Sequence, residues 1–150
     1  MTHMSVSAQQ IAAVLGGQRT LGRRVRRMTE LEDVVRAGIP KTALDRLINS
    51  FAEILGQADI SVQLRNKIVP RATYQRTEKL NLQSSETTER IARLFALLQS
   101  VFEDDVAAGQ FLLTAHPELG GRIPFEVALT EVGGRQVEEV INRGLHGLPA

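Results

Sequence analysis

"SSETTERIARLFALLQSVF", Ser84 to Phe102, decides how the rest of the chain is read. Ile91, Leu94, Phe95, Leu98, Val101 and Phe102 recur at three- and four-residue spacing, which lays them along one stripe of a helix. Serine and threonine at its head are good N-cap types, so a long helix is predicted to start on them. On both sides the same periodicity continues, and no segment alternates strictly for more than a few residues. The fold class that follows is all-α.

Upstream, Ser7 to Leu15 is a candidate short helix closed by Gly16-Gly17. "RTLGRRVRR", Arg19 to Arg27, carries five arginines and little to bury, and reads as an exposed segment: either an arm reaching phosphate or a charged link. Thr29 with Glu32 has capping-box spacing, and Gly38 supplies the stop for "ELEDVVRA". Pro40 suits the first turn of "PKTALDRLINSF", whose Ala43, Leu44, Leu47, Ile48 and Phe51 form one face. Next stand "ISVQLRNKI", Val69-Pro70 and "RATYQRTEKL", Arg71 to Leu80. Two short helices split by a tight turn, with proline heading the second, have the layout of a helix-turn-helix.

Downstream, "DDVAAGQFLLTA" opens on aspartates, as helix N-termini favour. "AHPELGGRIP", Ala115 to Pro124, then breaks the helical pattern: Pro117 and Pro124 restart helices, and Gly120-Gly121 makes the sharp turn between them. "PFEVAL" and "TEVGGRQVEEVINRGLHGLPA" follow, and Val137, Val140, Ile141 and Leu145 are expected to give the last helix an apolar side for a partner.

The net charge of +1 hides a strong asymmetry. Residues 1–80 hold 13 Lys or Arg against 7 Asp or Glu, net +6, whereas residues 81–150 hold 5 against 10, net −5. Such a split suggests one half facing a polyanion and one half not. Arg65, Lys67, Arg71, Thr73, Tyr74, Arg76 and Lys79 cluster on the helix-turn-helix segment, where arginine and lysine hold phosphates or read guanine edges and hydroxyls bond phosphate oxygens. With one tyrosine and no tryptophan the chain lacks a stacking platform for single strands, so duplex DNA is the expected nucleic acid.

Catalysis has little to work with. There is no cysteine, so disulfides and thiolate metal sites are excluded, and the three histidines stand apart from any Asp, Glu or Ser at triad or metal spacing. Glu103-Asp104-Asp105 reads as a helix start rather than a metal site. The expectation is a non-enzymatic binding protein with no cofactor and no metal. No apolar run approaches the ~20 residues that span a bilayer, and the N-terminus lacks a signal peptide's basic-then-apolar layout. A cytoplasmic protein without membrane contact is expected.

"AHPELGGRIPFEVALTEVGGRQVEEVINRGLHG" resembles the C-terminal signature of the Xre/MbcA/ParS antitoxins, carried by Pro117, Leu119, Gly120, Gly121, Pro124, Leu129, Thr130, Gly133, Val137, Arg143 and Gly147. "AGIP" at Ala37 to Pro40 and "VPRATYQR" at Val69 to Arg76 resemble that family's central Xre-like part, so the likeness runs from about Thr29 to Ala150. Three residues depart from the pattern. His116 stands where asparagine is usual, Phe111 where tryptophan often is, and Lys67 where a glycine commonly precedes the turn.

Three segments are expected: an N-terminal helix and basic arm (1–28), and, over the span of the resemblance, a helix-turn-helix DNA-binding domain (29–82) and a small helical toxin-binding domain (83–150). The resemblance implies an antitoxin of a type II pair whose partner is a RES-domain toxin that destroys NAD, with the antitoxin covering the toxin's active site and repressing its own promoter. A homodimer within a larger complex is expected from paired half-sites. The expected toxin-binding residues are His116, Arg122, Arg143, Leu145, His146, Leu148, Pro149 and Ala150. Apolar residues so near a chain end gain little unless they dock, and a tail with arginine and a free carboxylate suits a concave polar site. The alternative is a plain helix-turn-helix regulator whose C-terminal half only dimerises.

Overall fold

A computed structural model describes residues 5–145, and these form ten α-helices and one short 3-10 turn with no strand among them. Ser7 opens α1 (Ala8–Val14) with a reciprocal cap: its hydroxyl accepts the Gln10 N–H, and the Gln10 side chain accepts the Ser7 N–H. Gly16-Gly17 ends α1 as expected but also starts a further five-residue helix, α2 (Gly17–Leu21). The arginine segment therefore differs from an unattached arm. Its arginines are exposed, yet Leu21 and Val25 are buried in the core and pin the backbone.

In α3 (Met28–Ala37) the cap is not the predicted Thr29–Glu32 pair. The cap lies two residues earlier, at Arg27, and the Glu30 carboxylate accepts the N–H groups of Arg26 and Arg27 at 2.8 and 3.0 Å. Those backbone donors, that of Arg26 first, hold the Glu30 carboxyl below its ordinary range, helped by the Arg23 and Arg26 charges. Glu32 is left to pair with Arg36 one turn on.

After Gly38 and Pro40, α4 (Lys41–Leu55) buries Ala43, Leu44, Leu47, Ile48 and Phe51, the predicted face. Then come α5 (Ile60–Ile68), the Val69-Pro70 turn and α6 (Arg71–Arg76), which is the predicted helix-turn-helix order. The second helix is shorter than predicted. It stops at Arg76 because the following residues pair with the start of α4: Lys41 N–H donates to Glu78 O at 3.0 Å, Leu80 N–H to Ile39 O at 2.8 Å, and Pro40 and Lys79 form an antiparallel bridge.

The long helix α7 (Leu82–Phe102) starts two residues before the expected Ser84, because Asn81 provides the cap by accepting the Ser84 N–H at 2.8 Å. The serines and threonines thus lie inside the helix, and they are buried. Ser85 Oγ accepts the Ile39 N–H at 2.9 Å and donates to Leu80 O, fastening α7 to the bridge below α4. Nor is α7 one-sided, since Ala92, Ala96 and Leu97 are as buried as Ile91, Leu94, Phe95 and Leu98. It is the central helix, with α1, α3, α5, α8 and α10 packed on it. Phe102, expected in the stripe, is 43% exposed at its end.

Asp104 caps α8 (Asp105–Leu113) by accepting the Val106 N–H at 2.9 Å, so the acidic triplet is a helix start. The 3-10 turn (Pro117–Leu119), α9 (Pro124–Val127) and α10 (Glu131–Leu145) complete the fold. Val137, Val140 and Ile141, expected to await a partner, are buried within the chain's own core. The reason is packing: α10 lies along α7, which needs an apolar cover on that side. Phe51 meets Phe95 and Phe125 edge to face, with centroids 5.0 and 6.3 Å apart, so the centre joins α4, α7 and α9. One hydrophobic core runs from Ala8 to Ile141, across the boundaries expected between functional segments.

Among the described residues, no helix is long and apolar enough to cross a membrane, and no group of three or more His, Cys, Asp or Glu could hold a metal ion.

Candidate nucleic-acid interface and partner cleft

The helix α6 contributes no fully buried side chain, and at six residues it is far too short to persist on its own. Tyr74 holds it. The Tyr74 hydroxyl donates to Asp45 Oδ2 at 2.7 Å, the Arg65 guanidinium lies 4.1 Å from the ring centroid, and Lys41 Nζ lies 4.9 Å from it. Lys41 also donates to the Tyr74 carbonyl at 3.3 Å, and Arg65 stands 3.7 Å from Asp45. A phenol with two cations over its ring and a carboxylate at its hydroxyl is a clamp of α4, α5 and α6. Burial first, then the Asp45 bond and charge, push the Tyr74 phenol above its usual value.

The seven expected DNA residues therefore divide. Tyr74 and Arg65 face inward, and the Arg65 Nε is buried without a hydrogen-bond partner among the described residues. Lys67 reaches the other way and donates to Glu126 at 2.9 Å, tying α5 to α9. Arg71 and Arg76 are exposed on α6 and form no ion pair among the described residues, with Thr73 half-buried between them. Lys79 is exposed but sits in the bridge with Pro40, beyond the helix end.

Further along the chain the proline-glycine break closes on itself. His116 N–H donates to Arg122 O at 3.0 Å and Gly121 N–H to His116 O at 3.0 Å, with Gly120 and Gly121 at φ 68° and 77° turning the chain. His116 Nδ1 accepts the Glu118 N–H at 3.1 Å, the bond an asparagine oxygen makes when it starts such a turn. The Phe111 ring lies 5.3 Å from the imidazole. Two of the three departures from the family pattern are thus partners of each other.

Glu118 then meets Arg143 of α10 at 2.6 Å, and Arg143 also pairs with Glu139 at 3.6 Å. Arg122 donates to Leu119 O at 3.2 Å and remains exposed. Glu118, Arg122, Gln136, Glu139 and Arg143 line an open polar cleft of about 400 Å³. A smaller, largely apolar cavity of about 190 Å³ lies among Leu98, Phe102, Phe111, His116 and Ile141. His116, Arg122 and Arg143 are therefore brought together around Glu118. The Leu145 side chain, His146, Leu148, Pro149 and Ala150 lie outside the described residues.

Sequence reading missed Arg90. It is buried in α7, donates to Ala128 O at 3.1 Å and to Glu131 at 3.2 Å, and so fastens the junction of α9 and α10. Its signal was indirect: the glycine pair opposite it. A Cβ on Gly134 would stand 2.6 Å from Arg90 Cδ, and one on Gly133 would stand 1.7 Å from Val127 O.

Residues 97–147 match the antitoxin Xre/MbcA/ParS C-terminal toxin-binding domain. The matched residues are about a third of the chain and comprise the end of α7, the closed turn, α8, α9 and α10. A comparison with curated proteins finds no match. What the chain is similar to, over that third, is the toxin-binding part of an antitoxin, and this supports an antitoxin family for it.

Proposed function

We propose that this chain is the antitoxin of a type II toxin-antitoxin pair. Its C-terminal segment binds and blocks the active site of a RES-type toxin that degrades NAD. Its helix-turn-helix binds duplex DNA at its own promoter, making it an autorepressor that acts as a homodimer within a larger complex in the cytoplasm.

The observation that carries this reading is the toxin-binding likeness of residues 97–147, which covers the turn and helix that line the Arg122–Arg143 cleft. The exposed Arg71 and Arg76 on a short helix clamped from behind support the DNA part.

Co-expression with a RES-domain protein encoded beside it tests the toxin part: capture of that protein and restored cellular NAD are expected, and a free, active RES protein overturns it. Gel shifts on the upstream region of its own gene test the DNA part. With about five phosphates held, log affinity falls against log salt with a slope of about −4 to −5. A flat salt response overturns it.

A further inference from the structure

We infer that the arginine segment between α2 and α3 is a second phosphate-binding surface, continuing onto the same duplex that α6 contacts. The inference rests on the DNA part of the proposed function.

Arg23 is accounted for by Glu30 and Asp33, at 3.9 and 3.6 Å. Arg24, Arg26 and Arg27 of this segment, and Arg19 just before it in α2, are exposed and form no ion pair among the described residues. Four like charges so close in sequence repel one another, and a loose linker relieves that by spreading. This segment has no such freedom. Leu21 and Val25 are 7% and 8% exposed, and the Glu30 carboxylate fixes the backbone at Arg26 and Arg27. A cationic surface held in place against its own repulsion is matched to a polyanion with regularly spaced charges.

Its position fits a duplex already held by α6. The ten residues of α3 separate Arg27 from Gly38, a length of about 15 Å. Gly38 in turn lies against the residues just past α6, since a Cβ on it would stand 2.7 Å from Leu80 O and 3.1 Å from Lys79 Cβ. By a second route, α2 packs on α4, the helix whose Lys41 and Asp45 hold Tyr74. The length along α3 falls well within one duplex turn of about 34 Å. Arginines at that remove meet phosphates rather than bases, so they add affinity and salt dependence without sequence preference.

The test is fluorescence anisotropy across a salt series, using the full chain and a duplex from the upstream region of its own gene. The combined variant Arg24→Gln, Arg26→Gln, Arg27→Gln should lower the magnitude of the salt slope by about 2 to 3, while the matching Arg→Lys variant keeps the parental slope. Thermal melting of each variant checks the fold. If the parent binds, Arg76→Ala weakens binding and the glutamine variant keeps the parental slope, this inference alone falls. If the parent shows no salt-dependent binding, the DNA reading falls and takes this inference with it. A glutamine variant with the parental slope but no capture of the toxin would assign the surface to the protein partner, which also overturns the inference.

Discussion

The Tyr74 hydroxyl stands 2.7 Å from the Asp45 carboxylate, and that bond joins a helix with no fully buried side chain to one whose apolar face is wholly buried. Tyr74 is therefore a positioning residue for α6 rather than a phosphate contact. Tyr74→Phe keeps the ring beside Arg65 and Lys41 and removes only the hydroxyl. Its expected effect is a loss of about 1 kcal/mol in DNA affinity, roughly five-fold, with the salt slope unchanged because no phosphate contact is lost. A reduced slope would place the hydroxyl on DNA instead.

The same phenol makes the alkaline limit of stability readable. Its value in the folded chain is raised above 10.0, so folded protein keeps the proton longer than unfolded protein does. The stabilisation is complete below the unfolded value and is lost as pH rises through the folded one. Tyr74 is the only tyrosine, so phenolate absorbance reports this residue alone. The phenolate should appear above pH 10 in folded protein and shift downward on unfolding. Tyr74→Phe should flatten that part of the stability profile, and an unshifted titration would mean the clamp is open in solution.

Gly133 and Gly120 separate two reasons for glycine. A Cβ on Gly133 would lie 1.7 Å from a backbone oxygen of α9, an obstacle that cannot swing aside. Gly120 has φ 68° and open space around it. Gly120→Ala should cost only the left-handed backbone penalty of about 1–2 kcal/mol. Gly133→Ala should cost about 3 kcal/mol or more by overpacking. Denaturant midpoints of the two variants check the order, and a milder Gly133→Ala would show that α9 can move away.

Arg90→Met retains most of the stem but leaves the fully buried Ala128 carbonyl without its donor. A loss of about 2 kcal/mol in unfolding free energy is expected. Glu131→Gln touches the same guanidinium from a side chain 61% exposed, and its effect should stay below about 1 kcal/mol. Equal effects would mean that the ion pair, not the carbonyl bond, holds α9 to α10.

Periodicity made the helices legible because burying a stripe is a local demand, and Ala43 to Phe51 met it residue by residue. The ends of helices were less legible, because the chosen partner is distant in sequence. Ser85 looked like a cap and instead serves Ile39, and Arg71 to Leu80 looked continuous until Leu80 found the Ile39 carbonyl. The basic cluster could be seen but not sorted: sequence does not say that Tyr74 turns toward Asp45 while Arg76 turns to solvent. The apolar face of α10 gave the correct pattern and the wrong occupant, since α7 covers it.

Because α10 belongs to the core, a deletion that tests the tail must stop short of that helix. Asn142 is 3% exposed and Arg143 holds Glu118 at 2.6 Å, so removing residues 142–150 would damage the fold as well as any contact with a toxin. Removing 146–150 spares both. If the tail plugs the toxin's active site, this shorter deletion should leave thermal melting and DNA binding at parental levels yet abolish rescue of cells that express the toxin. Arg143→Ala supplies the contrast, because it opens the cleft while keeping the tail: a plug that acts through the last five residues predicts weakened but retained rescue. Full neutralisation by the truncated chain together with loss of rescue in an Arg143→Ala variant that melts as the parent does would move the inhibitory contact from the tail to the cleft formed by Glu118, Arg122 and Arg143.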